Sequence, residues 1–426
     1  MLARVLTIAL AVWFAGCEKT THENIDKWLT TSKGPAKLKK ALGDDGLDPD
    51  LSAHAGVNLL KKQKDGDFRT TLEGLSQGRR AQVIEKLAPK LWDVARVEDP
   101  TLLPNADQIA AKDALVAIRK WADDGQRQRI DGYLIDWYAV VSYEDRARRG
   151  ANTGATVIRM IGPPAAKKMM SVINGMLAAP GQETTKIKIH DELLLALAVS
   201  GSPEAVKHVL DISQLDRGDK TLAGRAMNQL FAAYVDSRNL FDLVPPEPLV
   251  PNLPQLAGLA RDPRQPGGVV NNAIALIRAV GGQRCVDQLV PLISTPHGEA
   301  KFKYVAATFA LRCGGPKAIS QVFRGMPDPA AYEQAELPGT LLLEISKMPR
   351  DQAQAALRPL VDDRSTVVKW LAIEALASMK SVEDASRIAA LAKHRERLPG
   401  FWGGTGKLDP TLGQRAKELA DQLSSK

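Results

Sequence analysis

The most regular hydrophobic pattern of the chain lies in residues 357–393. From Val368 to Met379, apolar side chains recur every three or four residues, which is the spacing of one face of an α-helix. Ser365 is expected to cap this helix, because a serine hydroxyl accepts hydrogen bonds from the free N–H groups at a helix start. Ser381 and Asp384 predict a capped second helix. Two short amphipathic helices cannot bury their apolar faces alone, so similar neighbours are expected on both sides.

The second half of the chain repeats this organisation. Each copy has a helix rich in Ala and Leu, a short turn that often contains glycine, and a second apolar-periodic helix; the copies are residues 188–213, 270–294, 303–326 and 369–393. The starts at 270, 303 and 369 differ by 33 and by 66, so one more unit is expected within 336–361. A fixed period of this length is typical of stacked helix pairs.

The acidic turn at Asp363, followed by Val367, Val368 and Lys369, resembles the motif of HEAT repeats. This resemblance implies an all-α fold, an α-solenoid of stacked antiparallel helix pairs. It is clear from residue 188 onward and looser over the earlier part of 24–398. The Trp, Tyr and Pro positions of tetratricopeptide repeats do not recur, and armadillo-type stacking with a third short helix stays open. Aromatic residues make up only 5% of the chain, which also favours helix over sheet.

The domain organisation follows from these patterns. We expect a leader at 1–16, a polar tether, less regular helical repeats, HEAT-like repeats, and finally a glycine-rich loop with a capping helix; the last four span 17–23, 24–181, 182–398 and 399–426. The proline-rich stretch 244–254 is expected to interrupt the stack, either as an extended connector or as a recognised surface segment.

The first residues have the pattern of a secretory signal. Arg4 is followed by an apolar run of about ten residues, whereas a membrane-spanning helix needs about twenty. The four residues Phe14-Ala15-Gly16-Cys17 resemble the lipobox of bacterial lipoproteins. That resemblance implies that Cys17 carries lipid and, since Glu18 is not Asp, that the protein resides at the outer membrane, facing the periplasm or the cell surface. The alternative is an ordinary signal peptide with an incidental Cys17.

Two further cysteines, Cys285 and Cys313, each adjoin a Gly-Gly turn in consecutive repeats. An exported protein meets an oxidising compartment, so a disulfide between them is possible. Stacked helices lie about 8–10 Å apart, while a disulfide requires Cα atoms within about 7 Å. The sequence therefore leaves open a disulfide or two separate buried thiols.

The sequence contains no recognisable catalytic or metal-binding motif. His190-Asp191-Glu192 is its densest group of metal-ligand residue types, but adjacent helical residues point in different directions. The stretch 400–407, GFWGGTGK, has the wrong spacing for a phosphate-binding loop and lacks the Ser or Thr after its lysine. Its Phe401 and Trp402 either pack on the last repeat or contact a partner. We therefore predict no enzymatic activity, no metal and no cofactor.

The chain carries a net charge of +8, and one region is notably basic. On a stack of helices, charges from successive helices can form a stripe. The residues concerned are Arg146, Arg148, Arg149, Arg159, Lys167 and Lys168. They form either an ordinary solvated face or a patch for an anionic partner such as lipid headgroups, polysaccharide or an acidic protein. Nucleic acid is not expected as a partner because the protein is expected to be exported.

Together these patterns favour a lipid-anchored scaffold that binds another envelope protein, mostly through the second helix of each pair. No small-molecule partner is required by this interpretation. The alternative is an envelope-associated enzyme or ligand-binding protein with a pocket in 92–181, and clustered buried ionisable residues there would favour it. The identity of the partner cannot be read from the residues.

Overall fold

The computed structural model describes residues 19–99, 102–178, 189–214, 220–238, 242–294, 300–326, 337–398 and 408–425. Within these ranges the regular structure is helical, apart from an isolated antiparallel β-bridge between Arg397 and Thr411. The helices of the first half are α1 (His22–Trp28), α2 (Gly34–Leu42), α3 (Pro49–Lys61), α4 (Asp65–Gly74), α5 (Gln77–Ala95), α6 (Ala106–Ile118), α7 (Asp124–Tyr138), α8 (Tyr143–Ala147), α9 (Gly154–Ile161), α10 (Ala166–Ala178) and α11 (Asp191–Val199).

The helices of the second half are α12 (Pro203–Gln214), α13 (Lys220–Tyr234), α14 (Leu253–Arg261), α15 (Gly267–Val280), α16 (Gly282–Ile293), α17 (Ala300–Gly314), α18 (Ile319–Gly325), α19 (Leu337–Ser346), α20 (Arg350–Leu357), α21 (Thr366–Ser378), α22 (Ala385–Ala389) and α23 (Leu412–Ser424). The predicted leader with Cys17, the predicted boundary at 181/182 and the loop with Phe401 and Trp402 lie outside the described residues.

The chain divides into two compact units, with the division between Ser200 and Gly201. Helices α1–α11 belong to the first unit and α12–α23 to the second. Helix α11, which the sequence pattern groups with α12 in one repeat, contacts α9 and α10 of the first unit. Gly201 has φ +67°, a conformation that glycine adopts readily, so the chain can turn sharply between α11 and α12.

The second unit is built from two layers of helices, which confirms the predicted fold class. In one layer α13, α15, α17, α19, α21 and α23 each contact the next. In the other layer α14, α16, α18 and α20 do the same. We call the first of these the first-helix layer, because it contains the first helix of each repeat. The additional repeat expected within 336–361 is the pair α19 and α20.

Capping explains where the helices of the last repeat begin. The Ser365 hydroxyl accepts a hydrogen bond from Val368 N at the start of α21, as the sequence predicts. Ser381 was expected to cap an α-helix, and this expectation was wrong. Its hydroxyl instead donates to the Asp384 carboxylate at 2.7 Å and accepts from the Gln354 amide at 2.8 Å. The chain therefore enters α22 through a short 3-10 turn, and a buried polar network joins α20 to the next repeat.

The proline-rich stretch is not an extended connector. Its residues 247–252 form a 3-10 helix that leads directly into α14. Leu249 is fully buried, and the Asn252 side chain donates to Pro203 O at 3.0 Å. Proline suits such a segment because the first turn of a helix needs no N–H donors.

The first unit also stacks short helices on one another. Helix α1 contacts α2 and α3, and α3 packs closely on both α2 and α5. The Ser52 hydroxyl, near the start of α3, donates to Ala41 O at the end of α2, so α2 and α3 run antiparallel. Within the described residues, no helix has both the length and the apolar character that crossing a bilayer requires.

Candidate functional site

The first-helix layer presents an aromatic ring that two arginines contact. Phe309 on α17 is half-buried. The guanidinium carbon of Arg278, on α15, lies 4.7 Å from the centre of this ring, and that of Arg312 lies 5.6 Å from it. Both arginines are exposed. Cations at these distances are attracted to an aromatic face, so the ring and the two charges are held together.

Arg312 also links α17 to the next helix of the layer. Its Nε and Nη2 donate to the two carboxylate oxygens of Glu344 on α19, at 2.9 and 2.6 Å. Lys347 Nζ donates to the same carboxylate at 2.8 Å. Glu344 is buried, and the hydrogen bond from Arg312 lowers the pKa of its carboxyl group to about 2. This pairing fixes α19 against α17 and keeps Glu344 ionised.

Similar polar contacts cross the layer on both sides of Phe309. Asn272 on α15 donates to Asn228 on α13 at 2.8 Å. Towards the other end, Arg415 on α23 makes a bidentate pair with Glu374 on α21, at 2.6 and 3.0 Å. The outer face of the layer is therefore a polar surface made of residues from successive repeats.

One large apolar side chain of α19 is exposed. Leu343 on α19 is 56% exposed and adjoins Glu344 in the chain. Arginine and aromatic residues are enriched at the centres of protein interfaces, and most strong binding contacts come from them. We therefore define the Phe309 surface as the set Arg278, Phe309, Arg312, Leu343 and Lys347. It belongs to first helices, whereas the sequence pattern led us to expect binding mostly through second helices.

The charges of the Phe309 surface determine what it can bind. Glu344 balances one of its three cations, and Arg278 makes no ion pair among the described residues. The surface is therefore positive around an apolar centre. It suits a partner with carboxylates flanking an apolar side chain.

Cys285 and Cys313 form a disulfide, with Cα atoms 6.1 Å apart. Cys285 lies in the first turn of α16, and Cys313 lies at the end of α17. The bond closes a loop across a sequence separation of 28 residues, a length for which loop-closure entropy predicts stabilisation of about 3–4 kcal/mol. It thus links two consecutive repeats covalently.

One residue of the predicted basic patch, Arg146, is buried in the structure. Arg146 is only 3% exposed, and its Nη1 donates to Trp137 O at 2.8 Å. Its guanidinium carbon lies 5.4 Å from the centre of the Trp137 ring. Because Arg146 is packed inside the first unit, it cannot contribute to a surface patch as we had expected.

Two of the five remaining patch residues are neutralised by carboxylates. Arg148 pairs with Glu192, and Lys168 pairs with Asp136. Arg149 Nε donates to the backbone oxygen of Asp145 at 3.1 Å. These carboxylates lie up to 44 residues away in the sequence, so a count of nearby charges could not detect them.

The other two patch residues lie on different helices. Lys167 on α10 is exposed, and Arg159 on α9 is partly buried. The structure therefore does not assemble the six residues into one positive stripe.

The region 92–181 does contain buried ionisable groups. Lys112 is fully buried, and burial lowers the pKa of its ammonium group. Its Nζ donates to Asp113, to Arg149 O and to Asn152 O at 2.7–3.1 Å. Two of the three N–H donors of Lys112 hold the loop after α8, and the third pairs with Asp113 on the same helix, so Lys112 has a structural role.

A small cavity lies beside this loop. It has a volume of about 90 Å³ and is lined by Leu60, Asp65, Phe68, Arg69, Ala110, Asp113, Ala114 and Ala151. Ligand pockets usually measure about 300–1,000 Å³, so this cavity is too small for most substrates. Among the described residues, no group of three or more His, Cys, Asp or Glu side chains is arranged to hold a metal ion.

Comparisons with known proteins bear on the fold only. No family model matches the chain, and no curated protein matches it. Among solved structures, human deoxyhypusine hydroxylase in complex with glycerol has 16% identity, over 70% of this chain and 98% of that chain, at a TM-score of 0.25. An engineered protein has 14% identity, over 92% of this chain and 98% of that chain, at a TM-score of 0.31. Kap121p bound to Nup53p has 11% identity, over 93% of this chain and 50% of that chain, at a TM-score of 0.34.

At these TM-scores the similarities carry no argument about function, and the fold assignment rests on the helix packing itself. The second unit is a stack of HEAT-like helix pairs.

The pair Arg312–Glu344 predicts a pH-dependent stability. We expect Glu344→Gln to lower the free energy of unfolding by about 1–3 kcal/mol at pH 7, because it removes a charged acceptor from two partly buried hydrogen bonds. The pKa of Glu344 is about 2 in the folded protein and 4.5 ordinarily. Its contribution is therefore complete above pH 4.5 and is lost as the pH falls towards 2. In urea unfolding at pH 7, 5 and 3, the free energies of unfolding of the unmodified protein and of Glu344→Gln should converge as the pH falls.

Glu418→Gln is the matched control for this prediction. Glu418 pairs with Arg415 but is 56% exposed, so its loss should change the stability by less than about 1 kcal/mol. If Glu344→Gln costs no more than Glu418→Gln at pH 7, the pair does not fix α19 against α17.

Proposed function

We propose that this protein is a helical-repeat scaffold that binds another protein through the Phe309 surface and is held at the bacterial outer membrane by lipid on Cys17. The observation that carries the binding role is the half-buried Phe309 ring with two exposed arginines against it. Folding a stack of helices does not require an exposed leucine such as Leu343. The combination is typical of a binding surface.

The partner is proposed to be an acidic protein of the cell envelope. Its carboxylates would pair with Arg278 and Lys347, and an apolar side chain would contact Phe309 and Leu343. No catalysis is proposed for this surface. The scaffold acts by holding its partner, and the stacked repeats provide a rigid support for the contact.

Two features support the proposed envelope location. The residues from Arg4 to Cys17 have the pattern of a lipoprotein signal. The disulfide between Cys285 and Cys313 is suited to an exported protein, since structural disulfides are rare in reducing compartments. Acyl chains contribute about 0.8 kcal/mol per buried CH₂, so several chains on one cysteine would anchor the protein stably.

A second candidate function is a ligand-binding protein or enzyme with a site in 92–181. Arg146 supports it, because its Nε and Nη2 are buried and find no acceptor among the described residues. Buried charged donors without acceptors are costly, and an anionic ligand would satisfy them. The full use of Lys112 in structural contacts favours the scaffold instead.

The binding role predicts that charge reversal on the Phe309 surface abolishes partner capture. The double variant Arg278→Glu, Leu343→Asp changes two exposed side chains, so its melting temperature should stay close to that of the unmodified protein. In quantitative pull-downs from solubilised envelopes, partner recovery should fall at least roughly tenfold, the loss expected from removing one strong interface contact.

The matched control is Arg387→Glu, Val382→Asp on the last repeat. Val382 is 55% exposed and Arg387 is exposed, so the control makes equivalent changes at another surface. Equal recovery with both double variants would rule out the Phe309 surface as the binding site.

The lipid anchor predicts a specific effect of Cys17→Ser. Cells fed a labelled fatty acid should incorporate label into the unmodified protein and not into the variant, because serine cannot carry the thioether-linked lipid. The variant should also move from the membrane fraction to the soluble fraction. Label that persists in Cys17→Ser, or an unmodified protein without label, would contradict the proposed anchor.

A further inference from the structure

Four lysines lie together at one end of the first helices. Lys33 immediately precedes α2, while Lys61 ends α3 and Lys62 and Lys64 follow it. Because α2 and α3 run antiparallel, the start of one helix and the end of the other lie at the same end of the pair. We call Lys33, Lys61, Lys62 and Lys64 the lysine end.

The lysine end is only weakly neutralised: of its four lysines, Lys61 interacts electrostatically with the Asp26 carboxylate. All four side chains are exposed, and none of them makes an ion pair among the described residues. Other lysines close by are paired: Lys27 with Glu23 at 2.7 Å and Lys39 with Asp67 at 2.8 Å. The lysine end therefore differs from the predicted basic patch, where Arg148 and Lys168 pair with carboxylates and Arg146 is buried.

The backbone fixes how these lysines are presented. Gln63, between Lys62 and Lys64, has φ +55°, and the N–H of Lys64 donates back to Leu59 O at 3.0 Å. This left-handed residue closes the helix end as a defined turn. The lysines after α3 are thus held on an ordered turn.

The opposite end of the same helix pair is acidic. The turn between α2 and α3 carries Asp44, Asp45 and Asp48, none of which makes an ion pair among the described residues, whereas Asp50 in the first turn of α3 pairs with Lys90 at 3.1 Å. The pair therefore has opposite charges at its two ends. A negatively charged plane would attract the lysine end and repel the acidic turn, which would orient the first unit.

We propose that the lysine end docks on the anionic phospholipid headgroups of the membrane to which the protein is anchored. The proposal rests on the lipid anchor proposed above. Residues 18–21 can span about 14 Å when extended, and α1 is about 10 Å long. The far end of α1, which adjoins the lysine end, therefore lies within about 24 Å of the anchored Cys17.

The residue types favour a membrane over a protein partner. Lysine is depleted at the centres of protein interfaces, whereas clusters of lysines next to a membrane anchor are attracted to anionic lipid. Among the described residues, none of the large apolar side chains that are strongly exposed belongs to α1, α2 or α3. A group of exposed lysines without an apolar centre suits a fluid layer of headgroups.

The test measures vesicle binding of the full chain carrying Cys17→Ser, so that the lysine end acts without the lipid. Vesicles of phosphatidylcholine alone are compared with vesicles in which part of it is replaced by phosphatidylglycerol. We expect binding only to the anionic vesicles, and weaker binding as salt is raised. Each lysine near an anionic surface contributes roughly fivefold to binding. Changing all four to glutamine should therefore weaken binding by roughly several hundredfold.

The control variant removes the same charge from another place. It changes four exposed lysines of the second unit to glutamine: Lys317, Lys380, Lys393 and Lys417. Binding that survives in this control and is lost in the lysine-end variant supports the proposal. Equal loss in both variants would show that only net charge matters and would overturn it. Absence of binding to anionic vesicles would also overturn it.

The two proposals fail in different ways. If fatty-acid labelling shows no lipid on Cys17 while the lysine end still binds anionic vesicles, the anchor is wrong and the docking surface stands. If Cys17 carries lipid and the Cys17→Ser chain does not bind anionic vesicles, the proposed anchor stands and the proposed docking surface is wrong.

Discussion

The structure of the second unit depends on burial between neighbouring repeats. Its helices span between 5 and 15 residues, too short to be stable alone in water. Each helix hides its apolar face only because a neighbour covers it; Leu311 on α17 and Leu376 on α21, for example, are fully buried. The contacts that cross from repeat to repeat, such as Arg312–Glu344 and the disulfide, add to this burial and fix the register of the helices. Stability is therefore shared along the stack.

This dependence also explains where a binding surface can arise. Repeats that must pack on both sides keep only their outer edges free, so side chains from successive first helices form one continuous face. Phe309 contacts an arginine of its own helix and one from the preceding first helix, so the surface exists only when the repeats are stacked. The paired Glu344 adds a third helix to the same group. A partner that binds there would recognise the assembled stack and not any single repeat.

Local patterns along the chain predicted much of the fold. The Ser365 cap and the repeat formed by α19 and α20 both follow from spacings of a few residues or from the 33-residue period. Interactions between distant residues could not be predicted in this way. Arg146 belongs to a basic run, but only the packing of α8 shows that it is buried against Trp137.

The candidate surfaces were missed for a related reason. Phe309 gains its significance from Arg278, 31 residues earlier, and only the stacking of α15 on α17 brings them together. The sequence shows Lys61, Lys62 and Lys64 close together. It does not show that they make no ion pair, because that depends on how the helices pack. The cysteine spacing placed two turns next to each other, while the 6.1 Å separation of the Cα atoms depends on the offset between the helices. Period and capping are local information, whereas pairing and exposure are properties of the assembled stack.

The most direct test of this account is native-state hydrogen exchange on the protein and on Leu376→Ala. Leu376 is fully buried on α21, and its truncation should cost about 2–5 kcal/mol. If neighbouring repeats stabilise one another, protection should fall on α21 and also on α19 and α23, which carry no substitution. A loss of protection confined to α21 would contradict the account, because it would show that each helix pair is stable without its neighbours.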